Sequence, residues 1–272
     1  MSDGGDSVFY LFCVARSDSI RNLDGTGIDG HSPLFQLDQG GITAVMSAAS
    51  PSEFCGEAAE ARMQDLSWLG WRACRHEEVI ERIAAQSPVL PARYGTLFTS
   101  KENVEKLLNK HHRAISDFLD GVAGRGEWAV KAMLHRVQAT KALQSVHLTQ
   151  RQEYLASCSP GLRYFQEHRI RLDAEKDLNR WLGDVCKTLA NDLSAHCSGF
   201  RERKVRLDQA PDGGADMIVN WAFLVPASGV AGFQSRIARA NEDYAEQGLV
   251  FETSGPWPPY TFSPSLSMEP EI

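Results

Sequence analysis

The chain has 272 residues, 43% of them hydrophobic, and a formal net charge of −7. That length allows two domains of roughly 100–150 residues, each with its own core. The acidic balance excludes a protein held mainly by nucleic-acid phosphates or an anionic lipid surface, which call for a basic footprint.

No apolar run approaches the ~18–20 residues that span a bilayer, and the opening Met1-Ser2-Asp3-Gly4-Gly5-Asp6 is acidic where a secretory leader would be basic. The expectation is a cytoplasmic protein. Its six cysteines, Cys13, Cys55, Cys74, Cys158, Cys186 and Cys197, form no CxxC pair and are expected to be buried free thiols.

In chain order, Phe9 to Ala15 is apolar on both faces, as a central buried strand requires. Leu34–Leu37 and Ile42–Ala48 flank Asp38-Gln39-Gly40-Gly41, a hairpin signal. Ser50-Pro51-Ser52-Glu53 joins an N-cap serine to proline and glutamate in the first turn, which predicts a helix start. Helical character runs to about Gln86, with a break expected near Trp68-Leu69-Gly70-Trp71 because glycine costs ~1 kcal/mol relative to alanine in a helix. Val89 to Phe98 reads as a strand whose proline and glycine imply an edge or bulge. Ser100 caps a further helix, in which Val104, Leu107, Leu108, His111, Ile115, Phe118 and Leu119 form one apolar stripe.

Gly124-Arg125-Gly126 is the expected joint between an α+β domain of residues 1–125 and a second domain of residues 126–272. In the second, Trp128, Val130, Ala132 and Leu134 alternate with Glu127, Lys131 and His135 along a strand. A polar helical connection runs from Gln138 to Ser159. A long stripe then follows from Leu178 through Trp181, Leu182, Val185 and Leu189 to Leu193, with Gly199 expected to close that helix. Arg201–Asp208 and Met217–Val225 predict two strands joined by the turn Gln209–Gly214, and Trp221 and Phe223 share a face. Val230, Phe233, Ile237 and Tyr244 mark another helix, ended by Gly248, and Leu249–Thr253 the last strand. This strand, helix, strand, strand, helix, strand order predicts a ferredoxin-like βαββαβ domain, an antiparallel sheet with helices on one face.

After that strand, Gly255-Pro256-Trp257-Pro258-Pro259-Tyr260 contains three prolines, which remove donors and fix φ. It reads as a rigid aromatic edge, suited to packing or docking rather than chemistry. Ser263–Ile272 reads as a disordered tail.

Candidate chemical motifs are few. Gly25-Thr26-Gly27-Ile28-Asp29-Gly30 matches GxGxxG, but the next predicted element is a strand, so no helix N-terminus stands ready for a phosphate and the segment reads as a turn. His76-Glu77-Glu78-Val79-Ile80 lacks the second histidine of a zinc-protease helix, which leaves His76 as a helix-surface residue. His111 and His112 point about 100° apart on a helix and do not share a metal easily. The basic run Arg201–Arg206 reads as a solvated strand edge. No catalytic group, metal set or cofactor site is predicted.

Three segments together resemble the gas vesicle protein F/L family (GvpF/GvpL): His76–Val79 with Val89–Phe98, Gly126–Lys131, and Thr253–Phe262. At Tyr94 relatives commonly carry phenylalanine. A looser likeness lies in Gly161–Phe165. The family-motif positions, of unknown role, are Pro91, Arg93, Tyr94, Gly95, Thr96, Glu127, Trp128, Lys131, Gly255, Pro256, Trp257, Pro259 and Tyr260. The resemblance implies a non-enzymatic accessory or structural protein of the gas vesicle, located there and in the cytoplasm. Its implied partners are the small hydrophobic shell protein and other gas vesicle accessory proteins, with no nucleic acid and no lipid membrane. The alternative is a small-molecule or nucleotide-binding regulatory module, which the glycine loop and the ferredoxin-like pattern would suit.

Overall fold

A computed structural model describes residues 8–54, 62, 64–205 and 214–266. The chain divides into two compact units, residues 1–126 with 257–272, and residues 127–256. The sequence divides into expected domains of residues 1–125 and 126–272, whereas residues 257–272 group with the first unit.

The first unit is built on a sheet in the order β2 (Leu34–Gln39), β3 (Ile42–Ala49), β1 (Val8–Arg16) and β4 (Val89–Pro91), with β5 (Leu97–Phe98) also paired to β1. Each of these pairings is antiparallel. Gly40 and Gly41 sit at positive φ and make the tight turn between β2 and β3. Both faces of the sheet are buried, which is why β1 is apolar throughout. One core gathers Tyr10, Phe12, Cys13 and Ala15 against Val79, Ile80 and Ile83 of α2 (Leu66–Ala84). The other gathers Leu11, Val14 and Met46 against Val104, Leu108, Ile115 and Leu119 of α3 (Lys101–Val122). A bulge between Leu11 and Cys13 breaks the strict alternation and sends both Phe12 and Cys13 to the α2 side.

The break expected near Trp68-Leu69-Gly70-Trp71 does not occur. The short α1 (Pro51–Phe54) begins where expected, and α2 runs unbroken through Gly70. Its start is set by Asp65, whose carboxylate accepts from the Ser67 and Trp68 amides at 2.9 and 3.2 Å. Tertiary packing of one long apolar face outweighs a single exposed glycine. Ser100 caps α3 as predicted, accepting from the Asn103 amide. The single strand expected over Val89–Phe98 is instead β4 and β5, separated by a turn with Gly95 at φ +82°.

In the second unit the strands lie in the order β7 (Gly199–Glu202), β8 (Asp216–Pro226), β6 (Arg125–Leu134), β9 (Leu249–Trp257). Its core joins Trp128, Val130, Ala132 and Leu134 of β6 with Trp221, Phe223 and Val225 of β8. Leu178, Leu182, Val185 and Leu193 of α6 (Pro160–Ser194) and Phe233 and Ile237 of α7 (Val230–Tyr244) pack on the same core. The connection before α6 is helical as expected, as α4 (Arg136–Gln150) and α5 (Gln152–Ser157). Gly199 does not close α6: the helix ends at Ser194, and Gly199 opens β7. The turn expected over Gln209–Gly214 lies, up to Gly213, outside the described residues.

Gly248, at φ +82°, does separate α7 and its 3-10 extension from β9. A side chain there would stand 2.9 Å from the His135 carbonyl. The last strand is longer than expected: β9, outermost in its sheet among the described residues, runs on through Pro256 to Trp257, and Tyr260–Phe262 then forms a 3-10 turn.

Candidate functional site

The motif residues that sequence reading singled out assemble in two places. The first lies in the first unit and begins with His76, which was expected on a helix surface. It is 1% exposed, because α2 turns that face onto the bulged part of β1. The His76 ring stacks on Phe12 and meets Tyr10 and Tyr94 edge-on.

Its tautomer follows from its partners. Nε2 lies 3.2 Å from the Ala92 carbonyl, which can only accept, so Nε2 carries the proton. Nδ1 therefore accepts from the Tyr10 hydroxyl at 3.0 Å, and that hydroxyl oxygen in turn accepts from the Gly95 amide at 3.1 Å. Burial holds His76 neutral, pushing its pKa down to about 4, and drives the Tyr10 hydroxyl well above the usual phenol range.

Tyr94 adds its ring, but its hydroxyl is buried without a hydrogen-bond partner among the described residues. Pro91 pairs with Cys13 in the sheet, while Arg93 is exposed and uses its carbonyl to close the turn onto Thr96. Tyr260 arrives from the far end of the chain. It packs on the same core, and its hydroxyl donates to Glu77 at 2.9 Å. Burial raises the Glu77 pKa and, together with the Glu77 charge, raises that of Tyr260 further. Pro259 is buried, and Leu266, in the stretch expected to be disordered, packs on the other core of this unit.

The second place lies in the second unit. Glu127, which alternation sets on the face opposite Trp128 and Val130, is 1% exposed and forms an ion pair with Arg203. That pair corrects the reading of Arg201–Arg206 as a wholly solvated edge: Arg203 is a partner for a buried carboxylate, supplied from 76 positions away. Trp128 packs on Phe233. Gly255, at φ +141°, lies so close to this seam that a Cβ would stand 2.8 Å from the Glu127 carbonyl and 3.0 Å from the Trp128 ring. Lys131 and Pro256 are exposed, and Trp257 is 44% exposed.

The glycine-rich loop is not a phosphate cradle. Gly27 donates its amide to Ser32 and Gly30 to Gly27, while the Asp29 carboxylate accepts from the amides of His31 and Ser32. Ile28 is fully buried, and Arg75 of α2 binds Thr26. The backbone donors a phosphate would need are already engaged. No group of three or more His, Cys, Asp or Glu side chains able to hold a metal occurs among the described residues. Cys13 and Cys186 are buried free thiols, with the Cys186 pKa raised to about 11 by burial, whereas Cys74, expected inside, is exposed. A cavity of about 360 Å³ opens in the second unit between α6 and the β7–β8 strands, lined by Lys187, Asn191, Phe200, Asn220 and Trp221 among others.

With this geometry established, comparison with known proteins is decisive. The family model described as gas vesicle synthesis protein GvpL/GvpF matches residues 8–264. The chain belongs to the GvpL/GvpF family. Gas vesicle protein L of Streptomyces sp. (strain CB03234) is 27% identical, covering 95% of this chain and 93% of the relative. Gas vesicle protein F of the same organism is 25% identical, covering 93% and 98%. The crystal structure of GvpF from Anabaena sp. PCC7120 superposes with a TM-score of 0.68 at 19% identity, covering 98% of this chain and all of that one. This GvpL/GvpF protein is therefore an α+β member of a family that functions in gas vesicle formation. No helix among its described residues is long and apolar enough to cross a membrane.

Neither the buried His76 nor the Glu127–Arg203 pair could be read from the sequence as such. The available signal was weak, an apolar Val79-Ile80 face beside His76 and a carboxylate next to the apolar Trp128-Ala129-Val130 run.

Proposed function

We propose that this GvpL/GvpF protein acts in gas vesicle assembly by binding the small hydrophobic shell protein, at the vesicle and in the cytoplasm, as a non-enzymatic accessory or structural component. The observation that carries the reading is the family match across nearly the whole chain. The candidate positions fit a scaffold: the polar atoms of Tyr10 and His76 are committed to the protein itself, Gly95 gives its amide to Tyr10, and the motif residues Tyr94, Glu127, Trp128 and Gly255 take part in packing or pairing. The second unit is read as ferredoxin-like. Support comes from the strand order β7-β8-β6-β9, which is the order a split βαβ pattern produces, and from a core that α6 and α7 both enter.

Trp257 is the motif aromatic left most available for contact, on an outer strand of stiff backbone. Co-expression with the shell protein tests the reading. The shell protein should co-purify with this chain, and Trp257→Ala should fold but retain much less of it. Absence of association under conditions that permit vesicle formation would sink the proposal.

A small-molecule-binding module is the second reading, and the cavity beside Asn220 favours it, because its volume falls within the range of about 300–1,000 Å³ usual for ligand sites. A thermal-shift screen against nucleotides and small metabolites decides. Binding raises the apparent stability by RT ln(1 + [L]/Kd), and a flat response at millimolar ligand rejects this reading.

A further inference from the structure

Of the eleven exposed large hydrophobic side chains among the described residues, eight lie between Val137 and Leu172, on α4, α5 and the first part of α6. Scattered exposed apolar residues need no explanation, but a cluster of this kind marks an interaction surface. Tyr164 and Phe165 are 69% and 71% exposed, and their rings meet edge-on at 6.0 Å.

Spacing supplies the shape of the surface. Leu162, Phe165, Arg169 and Leu172 recur at i, i+3, i+7 and i+10, the seam along which one helix receives another. The stripe that α6 buries in its own unit, Ile170, Ala174 and Leu178, lies on the opposite side of the helix at about 100° per residue. α6 therefore carries a second apolar seam that its own unit does not cover.

Charge narrows the occupant. Residues 136–176 hold seven Lys or Arg and four Asp or Glu, a net +3 in a chain of net −7. Glu167 is matched to Arg163 at 2.9 Å, and Asp173 stands 4.0 Å from Arg169. Lys176 continues the seam at i+14 and forms no ion pair among the described residues. We propose that this arm docks an acidic amphipathic helix of a partner protein, a binding role separate from capture of the shell protein.

A second copy of the arm fits poorly, because antiparallel pairing would set its cations against one another. A lipid surface also fits poorly. Arg169 interrupts the apolar stripe at a seam position, where a carboxylate of a facing helix can meet it but hydrocarbon cannot.

The test uses the full chain and a fluorescein-labelled synthetic helix with leucine at its seam positions and glutamate beside them, read by anisotropy. Saturable binding is expected, weakening as salt rises. Phe165→Ser with Leu172→Ser should weaken it about tenfold, as should Arg169→Glu with Lys176→Glu, and a helix with lysine in place of glutamate should not bind. Because the substituted side chains are exposed, unchanged far-ultraviolet circular dichroism is expected for both double variants. Four results would each overturn the proposal: no binding of the glutamate helix at about 1 mM peptide, a free energy too weak for a specific contact; binding that both double variants leave intact; binding of phosphatidylglycerol vesicles through these residues in place of the peptide; or a self-association that Phe165→Ser with Leu172→Ser abolishes.

Discussion

Tyr10 and Tyr94 sit about 6 Å apart by ring centroid in the same core, yet their hydroxyls have opposite roles. The Tyr10 hydroxyl donates to His76 and accepts from Gly95, whereas the Tyr94 hydroxyl is buried without a partner among the described residues. Removing a satisfied hydroxyl strands two other groups, at a cost of about 1–3 kcal/mol, while removing an unsatisfied one is neutral or stabilising. Tyr10→Phe should therefore lower stability by roughly 2 kcal/mol in urea unfolding, and Tyr94→Phe should leave it unchanged or raise it.

His76 sets a pH dependence at the same scale. Its folded pKa is about 4 against an ordinary 6.5, so the unfolded chain binds the proton more readily. Stability from this group is fully present above about pH 6.5 and is lost as pH falls towards 4, by on the order of 3 kcal/mol. Glu77, whose pKa is raised, works in the opposite direction by favouring the folded state on protonation. Comparing wild type with His76→Gln across pH 7 to 4 isolates the histidine. The difference in unfolding free energy should shrink as pH falls, and a pH-independent difference would show that His76 is not held neutral.

At the scale of the element, the C-terminal segment is the instructive case. Leu249 and Phe251 of the strand Leu249–Trp257 enter the second unit's core, while Tyr260, just beyond the strand, packs on a core of the first. Gly255 is where this strand presses on β6, at a positive φ and with no room for a methyl group. Gly255→Ala combines backbone strain with overpacking against a carbonyl and an indole, and should destabilise by about 2–4 kcal/mol in chemical denaturation. A loss below about 0.5 kcal/mol, the range of an unremarkable surface change, would contradict the close approach.

At the scale of the whole molecule, what could be read in advance was what is local. The both-faced apolarity of Phe9–Ala15, the Gly40-Gly41 turn, the Ser100 cap and the Leu178–Leu193 stripe each carry their signal within a few residues, and each element is present. What could not be read depends on distant partners. Arg203 reaches Glu127 across 76 positions, Tyr260 reaches Glu77 across 183, and the burial of His76 needs a bulge one strand away. α2 continues through Gly70 because the packing of its apolar face outweighs the local propensity of one glycine.

The account of this GvpL/GvpF protein as an assembly factor is tested most directly by deleting it in a vesicle-forming host and imaging the cells by electron microscopy. The account predicts that vesicles are lost or malformed, that the wild-type chain restores them, and that Trp257→Ala, expressed at equal level, does not. Vesicles of normal number and shape in the deletion strain would contradict it.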